Sequence, residues 1–264
     1  MKSNSKLVIL VWIVAVIAVW ELAAFLLAAV LRDPMAAAKI PYVHAVVVTI
    51  VENWQALLGA VGVTFSKAAT GFALGAAVGY LLAVVMSVSR LAERIAFPYL
   101  IVSQMIPVLG LAPIVFNLVR DMNTSRVVIA TYITFFPVAA NTLGGFRSVE
   151  ADKRDLMRSY AARTPTLYWK LMIPFSLPYL FAGLKIAAPL SVTASILVDM
   201  LGSKNGIGVK LLYSLYGGLR DMFWASVVTS ALCGMASYLI VAAAERLFVP
   251  WQAATRRQAV AHGG

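Results

Sequence analysis

Charge is what this sequence has least of. Only 12% of its 264 residues are Asp, Glu, Lys or Arg, while 61% are hydrophobic, and mean hydropathy is +0.86. Soluble domains carry roughly twice that charge, so the balance excludes one and points to several passes through a bilayer. Cysteine is nearly absent. Cys233 stands alone in an apolar run, which rules out a disulfide within the chain and reads as a small hydrophobe. Histidine is scarce too: His44 and His262 are isolated, and no Cys/His/carboxylate spacing suggests a metal site. A phosphate-binding loop of the form G-x-x-x-x-G-K-[ST] is missing. The glycine-rich run "GSKNGIGVK" at 202–210 lacks that spacing and reads as a turn. Glu21, Asp199 and Cys233 fall in separate apolar runs, so no catalytic cluster forms and the chain is not expected to be an enzyme. Acidic residues number 11 against 22 basic ones, a net of +11. The basic residues are divided by lipid-length apolar runs, which argues against nucleic acid as a partner and for loops that set topology.

What is present is long apolar runs. A span needs about 20 residues at about 1.5 Å each. Six are expected, near Leu7–Leu31, Leu57–Val88, Phe97–Val119, Val127–Gly145, Leu177–Leu201 and Met222–Val249. The first is longer than a signal-peptide core of roughly 7–15 residues and reads as an uncleaved span. The fold class is therefore all-α and polytopic, with a single membrane domain over 1–264. An even number of spans puts both termini on one side. That side holds Lys2, Lys6, Arg90, Arg94, Arg147, Lys153, Arg154, Arg158, Arg163, Lys170, Arg246, Arg256 and Arg257. The other holds Arg32, Lys39, Arg120, Arg126, Lys204, Lys210 and Arg220. Lys67 and Lys185 fall inside spans. The excess places both termini and the 146–176 loop in the cytoplasm. Between spans one and two, Arg32 to Ala56, with Pro34 and Pro41, suits a short interfacial helix.

Within the spans, "GFALGAAVG" repeats Gly71, Gly75 and Gly79 at spacing four, a flat stripe that lets another backbone approach. It serves packing inside the subunit or a helix that slides during transport. The third span carries Pro98, Pro107 and Pro113. Each removes a backbone hydrogen bond whose carbonyl must find another partner in lipid. Broken helices of this kind line cavities, so Gln104, Met105, Pro107 and Asn117 are candidate path residues. Span five holds Lys185 near one end, able to snorkel, and Asp199 near the other. They lie 14 residues apart, about 21 Å along a straight helix, too far to pair. Asp199 either reaches water or touches the path, with Ser195 one turn away.

The most informative loop is "RSVEADKRDLMRSYAARTPTLYWKLMIPFSLP". From Asp152 to Ala162, Leu156, Met157, Tyr160 and Ala161 recur at helical spacing opposite Lys153, Arg154, Asp155 and Arg158, which predicts a short amphipathic helix. It should stop near Arg163, because Thr164 precedes Pro165. Thr164 can then cap a second helix that ends before Pro174. On this reading Pro174 and Pro178 bracket a rigid corner into span five. A docking element for a partner and a surface helix on anionic headgroups both fit these residues.

This loop resembles the cytoplasmic signature of the inner-membrane permeases of bacterial ABC importers. That motif reads Glu-Ala-Ala, three residues, Gly, nine residues, Ile-x-Leu-Pro. Aligned on Pro174, the chain has Asp155-Leu156-Met157, Ala161 for the glycine, and Leu171-Met172-Ile173-Pro174. "LMRSYAA", "PFSLPYLFAGLKIAA", "GIGVKLL", the glycine stripe after "TFSKAAT" and "PYLIVSQMIP" resemble the branch that imports nitrate, sulfonates, taurine, aromatic acids and pyrimidine precursors. The resemblance covers about residues 60 to 250. It implies the type I importer permease architecture. It further implies a homodimer in the bacterial inner membrane, docked on two cytoplasmic ATPase subunits that hold ATP and Mg. A periplasmic or lipoprotein substrate-binding protein would feed it, and no cofactor would be bound by this chain. Asp155, Arg158, Ser159, Tyr160, Ala161, Ala162, Arg163, Pro174 and Pro178 would couple the two subunits, Ala161 adding a methyl group at the docking surface. An ion-coupled secondary transporter or channel without an ATPase is the competing function. Against it stand the lack of inverted repeats and the few charges within spans.

Overall fold

The computed structural model describes residues 2–30 and 39–251. Arg32, Pro34, Arg256, Arg257 and His262, with the Lys2 and Lys6 side chains, lie outside what it describes. Among the described residues every regular element is helical: α1 (Lys2–Phe25, running into a π-helical turn at Leu26–Val30), α2 (Val43–Glu52), α3 (Trp54–Val88), α4 (Arg90–Met105), α5 (Val108–Val119) and α6 (Met122–Arg147). Then follow α7 (Ala151–Ser159), α8 (Thr164–Leu167), α9 (Ile173–Met200), α10 (Ile207–Tyr216) and α11 (Arg220–Phe248). Five segments are long and apolar enough to cross a membrane: Leu10–Val30, α3, α6, Thr164–Met200 and α11. A sixth crossing is made by α4 and α5 if the bent pair is one span. The described parts of the six apolar runs are thus helical but for their ends and the Ile106–Pro107 break, and α2 supplies the short helix expected before span two.

Contacts divide the chain into two compact units. One comprises Met1–Val63 with Lys204–Ala231, the other Thr64–Ser203 with Leu232–Gly264. In the first, α1 is tied to the start of α2. Trp20 Nε1 donates to the Pro41 carbonyl at 2.9 Å, and the Glu21 carboxylate accepts from the His44 backbone N–H at 3.1 Å. Glu21 also meets His44 Nδ1 at 3.1 Å, and Trp20 packs edge-on against Trp224 of α11. The α2/α3 junction is set by Asn53, whose side-chain amide and backbone N–H both turn back to the Thr49 carbonyl at 3.0 Å. Lacking helical dihedrals, Asn53 stops one helix while its own carbonyl starts the next.

The second unit is organised around α6, which Asp121 starts by accepting from the Thr124 N–H at 2.8 Å. Two sets of glycines press on α6. A Cβ at Gly71, Gly75 or Gly79 of α3 would lie 2.4–2.6 Å from carbonyl oxygens of Val127, Thr131 and Phe135. The expected stripe is therefore a packing surface inside the subunit. On another side, Gly183 of α9 meets the Pro137 carbonyl at 2.7 Å by the same measure, and Gly145 of α6 meets Tyr179. At the α7 end, Met86, Leu100, Leu143, Phe146, Val149 and Met172 form a buried cluster joining α3, α4, α6 and the base of α9.

The prolines behave unequally. Pro98 and Pro113 sit inside unbroken helices, whereas at Ile106–Pro107 the span breaks and α4 and α5 diverge by 98°. Without an N–H, Pro107 leaves the Ser103 carbonyl free, and the Tyr132 hydroxyl of α6 donates to it. The freed acceptor is met by protein, which lets the break persist in lipid. Pro174 and Pro178 correct the expectation of a corner. Thr164 to Met200 runs as one segment of 37 residues, with a π-helical turn at Tyr168–Met172 ahead of Pro174. There the Ile173 N–H reaches back five residues to the Tyr168 carbonyl. The wider turn makes room for the Pro174 ring, so the strain is absorbed as a bulge instead of a bend. Thr164 is likewise the first helical residue and not the cap, which is Arg163.

Candidate functional site

Two places concentrate chemistry in the second unit. The first is an ionic cluster at the end of the bundle away from α7. Asp199 of α9 is 1% exposed and Arg126 of α6 is 3% exposed. Arg126 Nε donates to Asp199 Oδ1 at 2.5 Å, and Thr64 Oγ1 of α3 donates to Oδ2 at 2.6 Å. The rest of the guanidinium is also engaged: Nη1 donates to Asn123 Oδ1 at 2.9 Å and Nη2 to Ser203 Oγ at 2.7 Å. Ser195 Oγ donates to the Thr64 carbonyl at 3.3 Å. Two expectations change here. Arg126 is no loop cation, and Asp199 is no solvated helix end. Buried charges persist only when paired and hydrogen-bonded, and each of these residues is satisfied by the others. The sequence offered no pairing signal, because the partners lie 73 residues apart.

Lys185 is the second correction. Its ammonium meets Glu245 of α11 at 2.8 Å, with both side chains under one-fifth exposed, so it is paired and does not snorkel. Phe65 and Phe72 of α3, Val192 of α9, and Ile240 and Val241 of α11 line an apolar cavity of about 190 Å³. Ser191 and Ser237 border it, but their hydroxyls are spent on the Ala188 and Gly234 carbonyls of their own helices. It offers nothing polar to a solute.

Of the other expected path residues, Gln104, Met105 and Pro107 lie at the elbow and Asn117 near the far end of α5. Met105 is 73% exposed beside Pro107, and the Gln104 side-chain nitrogen is buried with no hydrogen-bond partner among the described residues. Asn117 is exposed on α5.

The second place is α7 with the turn after it. No residue of α7 is buried. Leu156 and Tyr160 face outward beside Asp155 and Arg158, which pair with each other at 3.3 Å. The helix is anchored at its base: Val149 is buried, Arg154 donates to the Val149 carbonyl, and Lys153 lies over the Phe175 ring. Arg147 pairs with Glu93 of α4 and stacks on Phe97, fastening α4 to the end of α6. The helix ends in a Schellman turn. The Ala162 N–H bonds to Met157 O at 3.1 Å and the Ala161 N–H to Arg158 O at 2.8 Å. Ala161 occupies the left-handed position, φ +53°. That position favours glycine, which explains why the signature has glycine where this chain has alanine.

A broken span, a bundle joined by buried ion pairs and an amphipathic helix with no buried residue define a multi-pass membrane protein. The chain belongs to the family of binding-protein-dependent transport system inner membrane components, whose profile matches residues 75–252. It is 29% identical to the formylaminopyrimidine transport permease protein of Halalkalibacterium halodurans over 191 residues, covering 72% of this chain and 76% of that one. The riboflavin transport system permease protein of Chloroflexus aurantiacus is 30% identical over 166 residues, 62% of this chain and 61% of the relative. Among solved structures, a chain from an amino acid ABC transporter crystallised with histidines superposes with a TM-score of 0.62 at 14% identity. It covers 75% of this chain and 97% of its own length, which establishes the shared fold.

Proposed function

We propose that this chain is the permease subunit of an ATP-driven importer, working as a homodimer in the inner membrane with both termini and α7 in the cytoplasm. The observation that carries this reading is α7, a short amphipathic helix with no buried face, held at its base by the core that joins α3, α4, α6 and α9. A partner seated on Asp155, Arg158, Ser159, Tyr160, Ala161, Ala162 and Arg163 would move that core directly. The partner is a separate ATPase dimer, which holds ATP and Mg. Because Pro174 and Pro178 lie in a continuous helix, the motion passes along α9 as along a rod. A periplasmic or lipoprotein binding protein delivers the solute on the opposite face. The solute is a small anion or heterocycle, in keeping with relatives named for formylaminopyrimidine, aliphatic sulfonates and nitrate. Gln104, Met105, Pro107 and Asn117 border its path, and Ser195 and Asp199 hold the frame beside it.

The test is purification of the tagged chain from native membranes in mild detergent, with mass spectrometry of what accompanies it. A stoichiometric ATPase that is lost when residues 155–163 are scrambled supports the docking role. A chain that stays alone and moves solute in vesicles without ATP would overturn it and favour an ion-coupled transporter.

A further inference from the structure

The cations on the spans of the second unit are not equivalent. Arg126 and Lys185 are committed to Asp199 and Glu245. Lys67 of α3 is different: among the described residues no carboxylate oxygen lies within 4 Å of its ammonium. Its place in the fold follows from the glycine stripe. Lys67 precedes Gly71 by four residues and shares the face that presses on α6, so it stands over the first turn of that helix. Along α3 it lies 13 residues from Trp54, or about 20 Å. If a hydrocarbon core of about 30 Å is centred on this helix, Lys67 sits about 8 Å inside the boundary. A cation there without an ion pair is costly unless something uses it.

Lys67 lies within electrostatic range of Asp121, the α6 cap, whose Oδ2 is occupied by the Thr124 N–H and by Thr124 Oγ1 at 2.6 Å. Those bonds, with a smaller contribution from Lys67, hold the Asp121 carboxyl below the usual carboxylate range. Asp121 thus attracts the ammonium without binding it. An arriving anion can take the ammonium over at little cost, whereas Arg126 could serve one only by breaking a buried pair.

We propose that Lys67 is the permease's own contact for a compact oxyanion group on the solute (a sulfonate, carboxylate or nitrate) at the mouth opposite α7. This rests on the importer reading for its direction and narrows the solute to the anionic class. A phospholipid phosphate offers the same chemistry, and the experiment separates the two sources. The full chain is purified in neutral detergent, and thermal unfolding is followed against rising methanesulfonate, benzoate and nitrate, with chloride as the ionic-strength control and phosphatidylglycerol as a separate arm. A saturable rise in Tm with one of the oxyanions is expected. Its midpoint should move about tenfold or more in Lys67→Gln and less in Lys67→Arg, a tenfold change being one lost contact of ordinary strength. The Tm of ligand-free Lys67→Gln, unchanged, shows that the variant is folded. If that variant unfolds early, Lys67→Arg alone carries the comparison. No saturable shift, an unaltered midpoint in the variants, or saturation by phosphatidylglycerol alone overturns the proposal. None of these readouts involves the ATPase, so the importer reading stands or falls separately.

Discussion

Replacing Ala161 with glycine removes a Cβ from a residue held at φ +53°. In the left-handed region that atom crowds the following carbonyl, at about 1–2 kcal/mol for an L-residue. Glycine escapes this but loses more backbone freedom on ordering, roughly 0.5–1 kcal/mol. The difference leaves Ala161→Gly favoured by about 1 kcal/mol, which is about fivefold in the population of the closed turn. The assay is amide hydrogen exchange by mass spectrometry on the chain in nanodiscs. The Ala161 and Ala162 amides are themselves the donors of the Schellman bonds, so their exchange reports the turn directly. Ala161→Gly should slow exchange of the peptide spanning 160–163 about fivefold, and Ala161→Val, with its branched Cβ, should speed it. Equal rates in Ala161→Gly and the native chain, or slower exchange in Ala161→Val, would refute the assignment of strain to this residue.

Three further outcomes follow from the packing and the charges. Gly75→Ala places a Cβ 2.6 Å from the Thr131 carbonyl oxygen and from Thr134, and should lower stability by about 1–3 kcal/mol in a detergent unfolding series. Gly59→Ala meets nothing within 4 Å and should not lower it, the contrast isolating steric fit from helix propensity. Arg126→Met alone strands Asp199 and should cost about 3–5 kcal/mol, whereas Arg126→Met with Asp199→Leu should cost less than either single change, a cycle readable by the same melts. The lowered Asp121 value means that its capping contribution is present above the ordinary carboxylate range and is lost as pH falls through the lowered value. Protection of the Thr124 amide, its exchange rate relative to the intrinsic rate at each pH, should therefore hold above the ordinary carboxylate range and fall in acid, and Asp121→Asn should remove that fall.

The spans were legible because lipid imposes a length and a composition on each one; among the described residues five satisfy both as single segments and the third as a bent pair. The glycine stripe was equally plain, since spacing four fixes a common face without reference to its partner. The 146–176 loop declared its helix by periodicity, but the helix ends at the Schellman turn through Ala161, ahead of the Thr164–Pro165 pair. What stayed hidden were pairings over long separations: Arg126 with Asp199, Lys185 with Glu245, and Tyr132 with the carbonyl that Pro107 frees. Hydropathy treats each charge as a loop or an edge and has no means of matching one with another. The fate of each proline was also undecided locally. Pro107 breaks its span and Pro174 does not, because one has a tyrosine waiting for the orphan acceptor and the other has a π turn upstream.

The Arg126–Asp199 pair bears on how the chain is made as well as on how it stands. Of the five helices long enough to cross a membrane, α6 has the lowest mean hydropathy, 1.5 against 2.6 for the first. It carries the guanidinium, and the carboxylate that answers it is synthesised 73 residues later. During biosynthesis α6 leaves the ribosome with an unmatched charge, and the free energy of settling it in lipid improves only once α9 follows. The helix on which the glycines of two others converge thus itself depends on a later segment. Order of synthesis and order of assembly part company at this residue.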